Sequence, residues 1–139
     1  MFQVGSVFVP VTDLEKARDW YKNHLGVKEI DTWEGGAGFF FPQGFVQFGL
    51  IEVTESQPTE FVIEKGNNNC YFNFVVEDIE AAHEKLNVGG VRTTAIESFG
   101  AMRCFDFFDP DNNTFSVVDE DPQSPYHKEN VKKQQDGMT

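Results

Sequence analysis

VFVPVTDLEKA at residues 7–17 and FNFVVEDIEAA at residues 72–82 are two versions of one phrase. Val11 falls on Val76, Asp13 on Asp78, Leu14 on Ile79, Glu15 on Glu80 and Ala17 on Ala82, at one offset of 65 positions (Asp13 to Asp78). Each copy joins an alternating strand, a turn with an acidic start signal and an amphipathic helix. In a chain of 139 residues, a half-length repeat means two copies of one supersecondary unit, each too small to bury a core alone.

Working outward from the first copy, Phe2–Pro10 alternates as a strand. Thr12 with Glu15 has the spacing of a reciprocal capping box, and Leu14, Ala17, Trp20, Tyr21 and Leu25 recur at helical spacing up to Gly26, placed for a left-handed helix end. Strand-like runs follow at Val27–Trp33, Gly38–Phe41 and Phe45–Val53, with turns at Gly35-Gly36 and Pro42-Gln43-Gly44. Residues 54–69 form a connector with Pro58, Gly66 and three successive asparagines, and its Phe61–Ile63 suits a short strand. The second copy repeats the order: a strand at Cys70–Val76, a helix started by Asp78 and ended by Gly89-Gly90, then strands at Val91–Ile96, Met102–Phe108 and Thr114–Asp119. Asp109–Asn113 is a tight turn. Residues 122–139 lose periodicity and read as a flexible tail. The expected architecture is one α+β domain over residues 1–121: module one at 1–53, module two at 70–121, two βαβββ units whose curved mixed sheets surround a central cavity with helices outside.

Composition narrows the function classes. The formal net charge is −12, a surface that repels phosphate backbones and anionic lipid, so neither nucleic acid nor membrane is an expected partner. No apolar run reaches the ~20 residues of a membrane span. Cys70 and Cys104 stand apart without metal-ligand or redox spacing, which suits reduced thiols in the cytoplasm. Fifteen phenylalanines suit a core, and equally an apolar pocket with a few polar groups.

The doubled βαβββ unit, VTDLEKARDWYKNHLGV after the first strand and FGAMRCFDFFDPDNNTFSVV near the end resemble the vicinal oxygen chelate superfamily, to which glyoxalase I, the extradiol dioxygenases and the bleomycin-resistance proteins belong. The resemblance spans roughly residues 2–120, and DPDNN sits close to the family's usual DPDGN turn. It implies paired cups around a cavity which, in metal-dependent members, holds one divalent ion on His, Gln or carboxylate ligands. The matching positions are Ser6, Gln47, Tyr71 and Ser116. Gln47 alone is a plausible donor there, because a serine hydroxyl is a poor ligand and a tyrosine ionises only near pH 10. His24, His83 and His127 fall at no ligand spacing, and Glu52, Glu97 and Asp106 are strand carboxylates without an evident convergent partner. The expectation is therefore no metal, no other cofactor and no catalytic residue.

Strand alternation places Ser6, Phe8 and Pro10 on one face and Val7, Val9 and Val11 on the other, and it separates Tyr71 and Asn73 from Phe72, Phe74 and Val76 in the same way. In the last strand, Thr114, Ser116 and Val118 share the inward side. Together with Gln47 and Arg103, which the resemblance places at the cavity, Ser6, Phe8, Tyr71, Asn73 and Ser116 are the candidate ligand-binding residues. Arg103 would hold a ligand carboxylate or, as the plainer reading, form a surface ion pair. The resemblance implies a homodimeric protein that sequesters a small organic molecule, a cationic drug being one candidate. The alternatives are a metal-dependent lyase, isomerase or dioxygenase of the same superfamily, and a partner-binding module that uses the tail.

Overall fold

The structure is a computed structural model and describes residues 1–138. It divides into two compact units, the first made of Met1–Thr59 with Asp109–Asn113 and the second of Glu60–Phe108 with the chain from Thr114 onward. Among the described residues there are ten strands and three helices, a mixed α+β content.

In the first unit, β1 (Ser6–Val11) leads into α1 (Leu14–Leu25), followed by β2 (Lys28–Trp33), β3 (Gly36–Phe40) and β4 (Gln47–Glu52). The sheet order is β1-β4-β3-β2, with β1 and β4 parallel and the other pairs antiparallel. Helix α1 buries Ala17 and Tyr21, one turn apart, against the sheet face that carries Val9, Val11, Ala37, Phe39, Phe48 and Leu50. The Tyr21 and Phe48 rings meet there with centroids 5.2 Å apart. Gly26 ends the helix at φ 69°, the left-handed conformation that its missing Cβ allows.

The second unit repeats the topology. Its β7 (Asn73–Val75), α2 (Ile79–Val88), β8 (Glu97–Phe99), β9 (Met102–Phe108) and β10 (Thr114–Glu120) form a sheet of order β7-β10-β9-β8, again with the first and last strands parallel. Helix α2 buries Ile79 and Leu86, and the facing strands bury Phe105, Phe107, Phe115 and Val117. The rings of Phe72, Phe74, Phe107 and Phe115 pack together with centroid separations from 5.3 to 5.9 Å, so part of the phenylalanine excess is core.

Several boundaries differ from the sequence expectation. Residues 2–5 alternate but lie outside β1, which begins at Ser6. The helix N-cap is Asp13, whose carboxylate accepts from the Lys16 amide; the Thr12 hydroxyl of the expected capping box is instead spent on Asp111. In the second copy the N-cap is Asp78, as the repeat requires. The first hairpin turns at Glu34-Gly35 and leaves Gly36 to open β3. The connector holds a hairpin, β5 (Glu60–Glu64) with β6 (Asn67–Cys70), so the strand expected from Cys70 is broken at Tyr71 and Phe72. The strand expected at Val91–Ile96 is reduced to one bridge, Thr93 with Phe107, and β8 starts at Glu97. Helix α3 (Lys128–Asp136) occupies part of the stretch expected to be a flexible tail; Val131 is its one apolar residue and none of its residues is buried, so no apolar repeat marks it in the sequence.

Candidate functional sites on the open faces of the two sheets

Each sheet has one face under a helix and one face open, and strand alternation assigns every side chain to one of them. On the first sheet the open face crosses the strands in rows fixed by register. Phe8, Gly49, Gly38 and Asp31 form one row, and Pro10, Ile51, Gly36 and Trp33 the next. The glycines give this face its form. A Cβ at position 49 would stand 2.6 Å from Phe8 Cδ1, and one at position 36 would collide with the Trp33 indole. Both rings lie against bare backbone, a close approach that only glycine permits. Phe8 is nevertheless 58% exposed, Trp33 48% and Phe40, on the same face, 45%. The result is a half-exposed aromatic platform. Ser6 and Gln47 face one another at its edge as register partners.

The second sheet presents a different surface in the equivalent place. The repeat carries Phe8 onto Asn73, and the row here reads Asn73, Ser116 and Asp106 across β7, β10 and β9. The Ser116 hydroxyl donates to Asp106 Oδ1 at 2.7 Å, and the Cys70 sulfur lies 3.6 Å from the same hydroxyl. Cys104 and Phe108 flank Asp106 on the same face, and the Arg92 guanidinium lies 4.1 Å from the Phe108 ring centroid. Burial pushes the Cys70 and Cys104 thiols up, and the Asp106 charge acts on each in the same direction. One open face is thus aromatic over glycine, the other a polar row with a carboxylate.

The structure brings Ser6, Phe8 and Gln47 onto the first open face, and Asn73 and Ser116 onto the second as register partners. Tyr71 lies outside any strand, 67% exposed, with its ring 5.3 Å from that of Phe61. Arg103 points the other way, to the helix-covered side, where its guanidinium binds Glu80 of α2 at 2.6 Å and Asp119 at 2.9 Å. The basic side chain beside the second open face is Arg92. Trp33, Phe40, Asp106 and Arg92 were not among the sequence-derived candidates. The alternation of β2, β3 and β9 carries the signal for the first three, but a glycine under a ring leaves no trace in hydropathy.

The four positions that a superfamily metal would use fit such an ion poorly. Ser6 and Gln47 are partners, but Ser116 pairs with Asn73 and not Tyr71, and its proton is committed to Asp106. Among the described residues no three His, Cys, Asp or Glu side chains converge as a metal site. A divalent cation takes several nitrogen, thiolate or carboxylate donors, and this set offers one amide and three neutral hydroxyls.

Comparison with known proteins agrees with this architecture. A solved antibiotic-binding protein, TnmS3 from Streptomyces sp. CB03234, superposes with a TM-score of 0.70 at 19% identity, covering 86% of this chain and 97% of that one. A superfamily member from Sphaerobacter thermophilus DSM 20745 gives 0.68 at 25% identity, with 86% and 98% covered. The fosfomycin resistance protein FosX from Listeria monocytogenes gives 0.67 at 17%, with 88% and 97% covered. No curated protein matches the sequence. The family model described as Glyoxalase/Bleomycin resistance protein/Dioxygenase superfamily matches residues 3–117. With the doubled βαβββ topology and a model match over most of its length, the chain belongs to the glyoxalase/bleomycin resistance protein/dioxygenase superfamily.

Proposed function

We propose that the protein binds a small organic molecule without a resident metal ion and acts by sequestration. The observation that carries this reading is the platform of Phe8 and Trp33, two rings laid on glycine and left half-exposed. Large rings laid on the backbone and left half-exposed supply contact area, the property of an apolar ligand site. On the second sheet, taken by itself, the row of Asn73, Ser116 and Asp106 offers donors and acceptors to a polar group. TnmS3 is an antibiotic-binding protein, and a drug-like guest, cationic in view of the net charge of −12, is the matching class here. Ser6, Gln47 and Tyr71 are further proposed contacts.

A homodimer in the cytoplasm is part of the same proposal. Residues 1–12 have no charged side chain, and they include β1, which is an edge strand of its sheet and the position to which a strand of a second copy would add. Cys70 and Cys104 are free thiols, in keeping with a reducing compartment.

Thermal melting against a panel of cationic and neutral aromatic antibiotics tests the reading. A binder present at a hundredfold excess over its dissociation constant stabilises by about 2.7 kcal/mol. Phe8→Ala is expected to abolish the melting shift. Shifts produced by divalent ions and by no organic compound would favour the metal-dependent enzyme instead.

A further inference from the structure

We infer that Asp106 is the anchor for an ammonium group on the guest, which makes the ligand an amine with an apolar or aromatic body; this deepens the small-molecule reading and rests on it. The carboxylate stands in the middle of the second open face, in register with Ser116. Its backbone is fixed on both sides by one residue: the Thr94 amide donates to Asp106 O at 2.9 Å, and the Asp106 amide donates to Thr94 Oγ1 at 2.8 Å. His83 of α2 in turn holds Thr94, its Nε2 lying 2.9 Å from the Thr94 carbonyl oxygen. The group is positioned before any ligand arrives, which lowers the ordering cost of binding.

Its charge is left uncompensated. The side chain receives one hydrogen bond, from the neutral Ser116 hydroxyl, although two carboxylate oxygens accept about four. None of the ion pairs among the described residues includes Asp106. The basic side chains near this sheet have other partners, Arg92 over the Phe108 ring and Arg103 with Glu80 and Asp119 on the opposite face. A half-buried carboxylate with spare acceptor capacity is complemented by an N–H donor that carries positive charge, through a charge-assisted hydrogen bond. A metal ion would require more anionic or nitrogen donors than the row supplies. Val75, exposed on the same face, gives the amine's body an apolar surface.

The test uses 1-naphthylmethylamine and its neutral counterpart 1-naphthalenemethanol as probes, titrated into the ¹⁵N-labelled full chain at neutral pH. The wild-type protein is expected to bind the amine about tenfold more tightly than the alcohol, as one charge-assisted contact implies. The preference should shrink as salt is raised. Asp106→Asn, which keeps an acceptor for Ser116, should reduce the preference, read as the ratio of the two affinities, to near unity. Glu129→Gln, on the surface helix α3, removes the same charge elsewhere and should retain the preference. Equal affinity for the two probes in wild type, or a preference that survives Asp106→Asn, overturns the inference and leaves small-molecule binding standing. Failure of both probes to bind overturns the two together.

Discussion

Tyr21 of α1 donates its hydroxyl to Asp109 Oδ2 at 2.6 Å, with both residues buried inside the first unit. Asp109 opens the DPDNN turn and organises it. Its Oδ1 accepts from the backbone amides of Asp111 and Asn113, and its Oδ2 accepts from the Asn113 side chain as well as from Tyr21. Asn113 also donates to the Pro10 carbonyl in β1. Asn112 adopts φ 64°, the left-handed position where the related DPDGN turn has glycine, and asparagine is the residue that best tolerates it without one. The most specific piece of the sequence therefore ties β1, α1 and the turn together.

Replacing Tyr21 with Phe leaves the buried Asp109 carboxylate short of one donor. The expected cost is about 1–3 kcal/mol, read as a lower urea midpoint at unchanged slope. A change within experimental error would mean that the bond carries no net stability.

Alkaline pH should destabilise the protein through the same pair. Burial, and next the Asp109 charge, holds the Tyr21 hydroxyl well above its ordinary value. The folded chain keeps a proton that the unfolded chain releases near pH 10, so this contribution is whole below that pH and is lost as pH rises beyond it. Burial likewise raises the Asp109 carboxyl, against the pull of its hydrogen bonds, so its contribution is present in acid and declines as pH climbs through the folded value. Melting between pH 9 and 11.5 should show a falling limb that Tyr21→Phe flattens.

Gly36→Ala should lift the Trp33 indole from the sheet while the fold is retained, because the colliding atoms belong to a side chain free to turn outward. In a Trp20→Phe background Trp33 is the sole indole, and its emission should move to longer wavelength and quench more readily with acrylamide. Unchanged emission would remove the glycine floor from the account of the platform.

Ending the chain at Tyr126 deletes α3, which buries nothing. Its bonds to the preceding chain include the exposed Lys128–Glu77 ion pair at 3.0 Å, the Asn130 bonds to the Pro122 and Ser124 carbonyls and the bond from the His127 amide to the Ser124 carbonyl. Surface ion pairs contribute little, so the expected penalty is about 1 kcal/mol or less by urea unfolding. A larger loss would assign the helix a structural role.

The doubled unit is legible in the sequence because two local signals agree at each copy. Asp13 and Asp78 cap their helices, and Val9, Val11, Phe105, Phe107, Phe115 and Val117 alternate onto the buried faces. What escapes is set by tertiary context. Thr12 has the composition of a cap, but Asp111, 99 positions away, claims its hydroxyl. The hairpin of β5 and β6 is rich in exposed asparagine and looks like a linker. For the candidate sites, alternation places Ser6, Phe8, Asn73 and Ser116 on the open faces correctly. Arg103 shares the parity of Phe105 and Phe107, so the alternation of β9 turns it to the helix side, away from Asp106 and Cys104.

The central claim, binding of an organic guest with no metal in the site, is met most directly by one titration. Protein stripped with a chelator, and verified metal-free by elemental analysis, is titrated calorimetrically with a cationic aromatic antibiotic that shifts its melting, before and after one equivalent each of zinc, nickel and manganese. The account predicts the same dissociation constant in every titration. Binding that appears only after a divalent ion is restored would contradict it.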